Sequence, residues 1–296
     1  MNEFQTVLEG GGVIVLDGAM GTELVRRGVE SVAAANLSYP ETVFAIHEEY
    51  FKAGSNAVIT NTLTMNRIFV ESHGMDIDVK AVNVAGAAIA RSCAKGKGFV
   101  LGNLSSTGQL LEPYGTYAEA DFLKAFKEQA AYLRDGGVDG FIIETIFDLR
   151  EALCALRGCK EVSSLPVIVS MSFSTEQNGG RTMMGNSAVD CASCLTEEGA
   201  DALGSNCGDV DPVQMAEIVR TLSQTTKLPI VAEANAGKPR LIKGKTEFDM
   251  DPATFAMGMS ACRLAGARIL GGCCGTTPEH IRALVRAIAA GGKTRI

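Results

Sequence analysis

A chain of 296 residues with 46% hydrophobic and 21% charged residues holds enough apolar material for one large α/β domain or two small ones. The formal net charge is −7 and the basic residues are scattered, which excludes the basic footprint of a nucleic-acid-binding surface. No uncharged apolar run approaches the roughly 20 residues that a bilayer span needs, and Met1-Asn2-Glu3-Phe4 is acidic where a secretory signal is basic, so a cytoplasmic protein is expected.

Short apolar runs recur along the chain, each followed by a polar cluster and then a helical pattern. Val13-Ile14-Val15-Leu16 leads into Asp17-Gly18-Ala19-Met20, and Ala57-Val58-Ile59 into Thr60-Asn61-Thr62. Phe99-Val100-Leu101 precedes Gly102-Asn103, Phe141-Ile142-Ile143 precedes Glu144-Thr145, and Val167-Ile168-Val169 precedes Ser170-Met171-Ser172. Ala202-Leu203 leads into Gly204-Ser205-Asn206-Cys207, Pro229-Ile230-Val231 into Ala232-Glu233-Ala234-Asn235, and Arg268-Ile269-Leu270 into Gly271-Gly272-Cys273-Cys274. Continuous apolar runs without polar alternation suit parallel strands buried on both faces. The intervening segments carry helix signals: Pro40-Glu41 opens a stripe of Val43, Ile46 and Tyr50 that Gly54 closes, and Phe122, Phe126, Ala130 and Leu133 form another before Gly136-Gly137.

Eight strand–helix units in this length predict one (β/α)8 TIM barrel, a single domain spanning 1–296. An open doubly wound sheet is the alternative, but the first turn lacks GxGxxG and no GxxxxGK[ST] loop appears. In a barrel the carboxyl ends of the strands share one rim, where chemistry resides. Asp17, Thr60, Asn61, Glu144, Cys207, Asn235, Cys273 and Cys274 all follow such ends, which makes them the candidate functional residues.

Three of these are thiols that can converge, Cys207 from the sixth strand and the Cys273-Cys274 pair from the eighth. Soft thiolates select zinc, and three rather than four protein ligands leave a tetrahedral position for water or substrate. The glycines of Gly271-Gly272-Cys273-Cys274-Gly275 allow the bend that brings neighbouring residues onto one ion. Thr277 as cap and Pro278 as first helical residue start a helix directly after the pair. The odd count of nine cysteines argues against a disulfide framework. Cys191-Ala192-Ser193-Cys194 is a CxxC without a second pair and reads as helix packing, as do Cys93, Cys154, Cys159 and Cys262. His47 reads as a helix-face residue rather than a ligand.

Asp17-Gly18-Ala19-Met20-Gly21-Thr22-Glu23-Leu24, Thr60-Asn61-Thr62, Glu144-Thr145, Ser205-Asn206-Cys207, Asn235-Ala236-Gly237 and the run from Gly271 to Ile281 together resemble the homocysteine S-methyltransferase family, nearly end to end. The wording of the first motif is closest to the homocysteine-binding module of cobalamin-dependent methionine synthase. The resemblance implies a (β/α)8 barrel with catalytic zinc on Cys207, Cys273 and Cys274. It implies homocysteine recognition at Asp17, Gly18 and Glu144, and places Asn235 in the family's Asn-Ala-Gly segment. Glu233-Ala234 departs from the proline expected before Asn235. Thr60 and Asn61 are candidates either for substrate contact or simply for ordering their loop.

The implied reaction is methyl transfer to the thiol of homocysteine, giving methionine. The expected donor is a methylcorrinoid (methylcobalamin) carried by a separate corrinoid protein. Betaine, S-methylmethionine or a related sulfonium, and a different acceptor thiol, are the alternatives. A quaternary ammonium is usually held by aromatic faces, and the chain has no Trp and five Tyr, with Met65 after the Thr60-Asn61-Thr62 motif. A non-enzymatic zinc-stapled barrel acting as an interaction module predicts a fourth protein ligand, and no further Cys or His stands at a strand end. A barrel aldolase or hydrolase wants a strand-end Lys, or a His and carboxylate metal set, and neither is present.

Overall fold

Each apolar run forms one strand of an all-parallel sheet. The barrel strands are β1 (Ile14–Val15), β2 (Ala57–Ile59), β3 (Phe99–Leu104), β4 (Gly140–Ile146), β5 (Val167–Met171), β6 (Ala202–Asn206) and β7 (Ile230–Ala234). A two-stranded antiparallel hairpin of β8 (Arg240–Ile242) and β9 (Lys245–Glu247) intervenes before the last barrel strand, β10 (Ala267–Gly272). The structure, a computed structural model, describes residues 3–242 and 245–291, so the ends of the expected 1–296 domain and residues 243–244 lie outside the described residues. No helix is long and apolar enough to cross a membrane.

The spatial order is β1-β10-β7-β6-β5-β4-β3-β2, with β1 and β2 at the two ends of the hydrogen-bonded series. Side chains close that seam. Asn56 accepts from the Val15 amide through Oδ1 at 2.8 Å and donates its own amide to Val15 O at 2.6 Å. One rung higher, the Ile59 amide donates to Asp17 Oδ2 at 3.0 Å. A buried backbone amide needs such a partner where the ladder gives none.

The barrel lumen is filled by Ile14, Leu16, Ala57, Ile59, Leu101, Ile142, Ile168, Ala202, Val231 and Ile269, and the helix Glu3–Glu9 plugs one end with Phe4 and Leu8. Because side chains alternate along a strand, the residue two positions on points into the lumen again. Those residues are Asn103 on β3, Glu144 on β4, Ser170 on β5, Glu233 on β7 and Gly271 on β10, so a polar layer sits directly on an apolar one. Asn103, Glu144 and Asn206 thus lie within their strands rather than in the following loops. The strands run past their apolar stretches because parallel pairing continues through the polar residues.

The outer helices follow the expected signals. Pro40–Ala53 begins on proline and ends on Gly54, whose φ of 110° suits only glycine well. Glu119–Asp135 buries Phe122, Phe126, Ala130 and Leu133 and stops at Gly136. Thr277 caps Pro278–Ala290 by accepting from the Glu279 amide. Cys191 and Cys194 lie on the helix Ala188–Glu197 with Cys191 buried in the core, and Cys93, Cys154, Cys159 and Cys262 are buried on other helices.

Candidate functional site

The sulfurs of Cys207, Cys273 and Cys274 lie within 4.8 Å of one another at the carboxyl rim. Parallel pairing builds this convergence. The strands β6 and β10 flank β7 in the sheet, the Cys207 amide donates to Glu233 O at 3.1 Å, and the Cys273 amide donates to Ala234 O at 2.8 Å. Both ligand segments therefore hang from the same central strand. Cys207 has φ 52° and Gly208 φ 74°, a left-handed pair that turns the chain at the end of β6. Thr276 secures the other segment, donating from Oγ1 to Cys273 O at 2.7 Å while accepting from the Ala19 amide at 3.0 Å. Gly18 is required there, since a Cβ on it would lie 2.6 Å from Thr276 Oγ1 and 2.9 Å from the Tyr50 hydroxyl.

The three sulfurs share protons. Hydrogen bonds from Cys273 and Cys274 pull the Cys207 thiol down to about 3, and the same contact with Cys207 pushes Cys274 up to about 12 and Cys273 upward as well. Burial alone acts in the opposite sense on the packing cysteines, pushing Cys154 to about 11 and both Cys191 and Cys262 to about 12. The cluster thus favours a thiolate at Cys207, with the other two sulfurs gathered beside it. This soft donor set fits zinc, whose Zn–S bonds are about 2.3 Å. Among the described residues it is the one group of three Cys, His or carboxylate side chains gathered tightly enough for a metal.

A cavity of about 190 Å³ opens on the sulfurs. All three cysteines line it, with Gly18, Thr60, Asn61, Asn103, Glu144, Glu233 and the first turn of the helix Met20–Arg26. Glu144 accepts from Asn103 Nδ2 at 2.6 Å and from Asn206 Nδ2 at 3.3 Å, and burial pushes its carboxyl up to about 7 despite the Asn103 bond. Asn206 is fully buried and ties the two halves of the site together. Its Nδ2 also donates to Thr145 Oγ1 at 2.7 Å and lies 3.9 Å from Cys273 Sγ, while its Oδ1 accepts from the Thr145 amide at 2.9 Å. Thr145, like Cys207, has a positive φ (58°), so Asn206 sits between two strained residues and holds one of them directly.

The other candidates are placed as follows. Asp17 is buried between Gly18 and Ile59, which line the cavity. Its Oδ2 is spent on the seam, its Oδ1 has no hydrogen-bond partner among the described residues, and burial raises its carboxyl well above the usual range. His47, fully buried, brings Nδ1 to 3.9 Å from Asp17 Oδ2, and burial lowers its imidazole to about 3. It is thus an interior residue of its helix rather than a surface one. Thr60 bonds Thr62 Oγ1 at 2.7 Å and accepts from the Asn103 amide at 2.9 Å. Asn61 donates to Val32 O and Asn36 Oδ1. Both order their loop while forming part of the wall.

Asn235 does not line this cavity. It donates to Gly208 O at 3.2 Å and borders a second cavity of about 350 Å³ that shares only Cys207 and Cys274 with the first. Phe147, Phe173, Phe248 and Met183 line that second space. Met65 faces neither cavity, being packed against Val70 and Val82, so its identity carries no information about a donor.

Besides Asn206, two residues of the cavity wall escaped sequence reasoning. Asn103 and Glu233 are both buried, line the cavity, and carry an oxygen with no hydrogen-bond partner among the described residues. The signal was available: each stands two positions after an apolar lumen residue, Leu101 or Val231, on a strand that otherwise buries both faces.

Residues 14–288 match the family model described as homocysteine S-methyltransferase. A methionine synthase of Mycobacterium tuberculosis is 31% identical over 94% of this chain, and one of Mycobacterium leprae is 30% identical over the same share. The chain spans only about a quarter of the length of these curated relatives, 25% and 24% respectively. Among solved structures, the metallated form of the Escherichia coli homocysteine methyltransferase MmuM superposes with a TM-score of 0.78 at 23% identity, covering 96% of this chain and 99% of that one, a likeness of fold. With three cysteines gathered at the carboxyl rim of an eight-stranded barrel, and a family match over almost all of it, the chain belongs to the homocysteine S-methyltransferase family.

Proposed function

We propose that the chain transfers a methyl group to the thiol of L-homocysteine, giving methionine, with zinc held by Cys207, Cys273 and Cys274. The observation that carries this reading is one small cavity lined both by the three clustered sulfurs and by the carboxylates of Glu144 and Glu233. Such a space suits a ligand with a thiol at one end and an ammonium at the other. A free thiol has a pKa near 8.5 and is mostly protonated at neutral pH. Zinc held by Cys207, Cys273 and Cys274 would supply the Lewis acidity that lowers the pKa of an acceptor thiol.

The chain's own groups do the rest. Three cysteine thiolates keep the site electron-rich, which favours attack by sulfur on a methyl carbon over activation of water. Glu144, its position set by Asn103 and Asn206, takes the substrate ammonium, while Asp17, next to the cavity-lining Gly18, keeps an Oδ1 without a hydrogen-bond partner among the described residues. The substrate carboxylate falls to the amides of the first turn of Met20–Arg26. No side chain caps that helix start, and its residues line the cavity beside Gly18. Thr60 and Asn61 shape the wall, and Asn235 steadies the Cys207-Gly208 turn from the donor side. The new S–CH3 bond forms as the donor departs with the electron pair of its bond to methyl.

The donor in this reading is a methylcorrinoid presented by a partner protein or module, in a reducing cytoplasm that suits nine free cysteines. One observation favours a second reading. Phe147, Phe173 and Phe248 give the second cavity aromatic faces despite the absence of Trp, and a small sulfonium or quaternary ammonium fits there against the exposed Asp209. The test is methionine formation from L-homocysteine with free methylcobalamin, S-methylmethionine or glycine betaine, assayed side by side. We expect the corrinoid to exceed both onium donors at least tenfold; preference for an onium donor selects the second reading. If the zinc-loaded protein neither binds homocysteine nor forms methionine with any donor, both readings fall.

A further inference from the structure

We infer that Glu233 is a specificity-determining residue, a carboxylate contributed by β7 that receives the ammonium group of the amino-acid substrate together with Glu144. This rests on the homocysteine reading above and deepens it, since neither the sequence motifs nor the family match assigns Glu233 a role. Glu233 is 1% exposed, and its Oε2 has no hydrogen-bond partner among the described residues. A buried, unpaired carboxylate costs several kcal/mol, roughly, unless something supplies donors or positive charge. Burial, followed by the carboxyls of Glu144 and Asp17, raises that cost.

The site is built to keep Glu233 where it is. Parallel register sets it opposite Asn206 on one side and Gly271 on the other, between the two strands that lead into the thiol ligands. It extends the lumen row from Val231 into the cavity wall. Gly271 clears the space beside it: a Cβ there would lie 3.3 Å from Glu233 Cγ, 2.9 Å from Leu16 Cβ and 3.0 Å from Asp17 O. Across the cavity, Asn103 Oδ1 is a second acceptor that is buried and unpartnered among the described residues. An ammonium carries three N–H donors and one positive charge. Glu144, with Asn103 and Glu233 around it, offers the acceptors and the negative charge that such a group takes up. A plain thiol offers nothing to them.

A structural residue and a recognition residue behave oppositely on substitution. Because Oε2 receives no donor from the protein, Glu233→Gln breaks no protein hydrogen bond there. We therefore expect the zinc-loaded, substrate-free Glu233→Gln protein to melt at or above the wild-type temperature. The same variant should bind L-homocysteine about tenfold or more weakly, in line with a charge-assisted contact of about 1.5–3 kcal/mol. It should bind 3-mercaptopropionate, which lacks the amino group, within twofold of wild type. Calorimetric titration of both thiols, with zinc content measured in the same samples, decides. Homocysteine affinity within twofold of wild type overturns the inference, as does a lowered melting temperature with both thiols weakened alike. Failure of the wild-type protein to bind homocysteine overturns the functional reading and this inference with it. Normal wild-type binding with an unaffected Glu233→Gln variant overturns the inference alone.

Discussion

Replacing Glu144 by Gln tests whether substrate recognition and metal binding are separable functions of this site. Both carboxylate oxygens face amide donors, Oε1 receiving Asn103 Nδ2 at 2.6 Å and Oε2 receiving Asn206 Nδ2 at 3.3 Å. A glutamine has only one oxygen, so one of these contacts becomes donor against donor. The shorter Asn103 bond should keep the oxygen, leaving the glutamine NH2 against Asn206. Losing a buried partner in this way costs about 1–3 kcal/mol of stability, so a modest fall in melting temperature is expected and is not itself the test. The test is ligand selectivity. Loss of a charge-assisted contact to an ammonium costs about 1.5–3 kcal/mol, or about ten- to hundredfold in homocysteine affinity. For 3-mercaptopropionate the change should be small, and zinc should stay bound, because Glu144 is not among the clustered sulfurs. Calorimetric titration with both thiols measures this directly. Equal weakening of the two would mean that Glu144 acts only by holding the strand ends in place, and the assignment of an amino-acid substrate would lose its main physical support.

Two further outcomes follow from the same geometry. Replacing Cys207, Cys273 or Cys274 singly by Ala should abolish stoichiometric zinc in metal analysis, whereas Cys191→Ala and Cys194→Ala should retain it; full retention in Cys273→Ala would refute the site. His47, lowered by burial to about 3 against an ordinary 6.5, binds its proton more readily unfolded than folded, so its contribution to stability is complete above pH 6.5 and declines as the pH falls toward 3. Both its ring nitrogens lack partners among the described residues, so His47→Leu forfeits no protein hydrogen bond. The stability difference between wild type and His47→Leu should therefore shift against wild type by about 1.4 kcal/mol per pH unit below 6.5, and parallel curves in pH-dependent denaturation would contradict the account. Asp17 and Glu144, raised by burial, pull in the opposite direction, but both proteins carry them and the difference cancels them.

The barrel was legible because its evidence is periodic and repeated. Eight apolar runs, each followed by a helical pattern, permit few other arrangements, and helix ends such as Gly54 and Thr277 fall where their chemistry requires. The thiol cluster was legible because cysteine in a glycine-rich strand end is unusual in itself. The hairpin β8–β9 was not, since a short antiparallel pair inserted between a strand and its helix leaves no periodic trace long enough to read.

What stayed hidden at the site belongs to a different physical level. Asp17 reads as a rim carboxylate, yet one of its oxygens closes the barrel seam at Ile59, a role set by the missing ladder between β1 and β2. Asn235 reads as a neighbour of the substrate, yet its side chain turns to Gly208 on the far side of the sulfurs. Asn206 stands in the Ser205-Asn206-Cys207 motif with no role of its own, and only the fold shows it bonding Glu144 and Thr145 on a strand two places away in the sheet. A sequence reports which residue types are unusual for their element. It does not report which oxygen is already taken, and in a buried polar layer that decides function: an acceptor saturated by the protein maintains the fold, while one left open is available to a ligand. On that ground we propose Glu233 and Asn103, each with an open oxygen in the cavity wall, as substrate contacts beside Glu144, whose own oxygens already accept from Asn103 and Asn206 and whose assignment rests on its place in that wall, while Thr60 and Asn61 belong chiefly to the loop they hold.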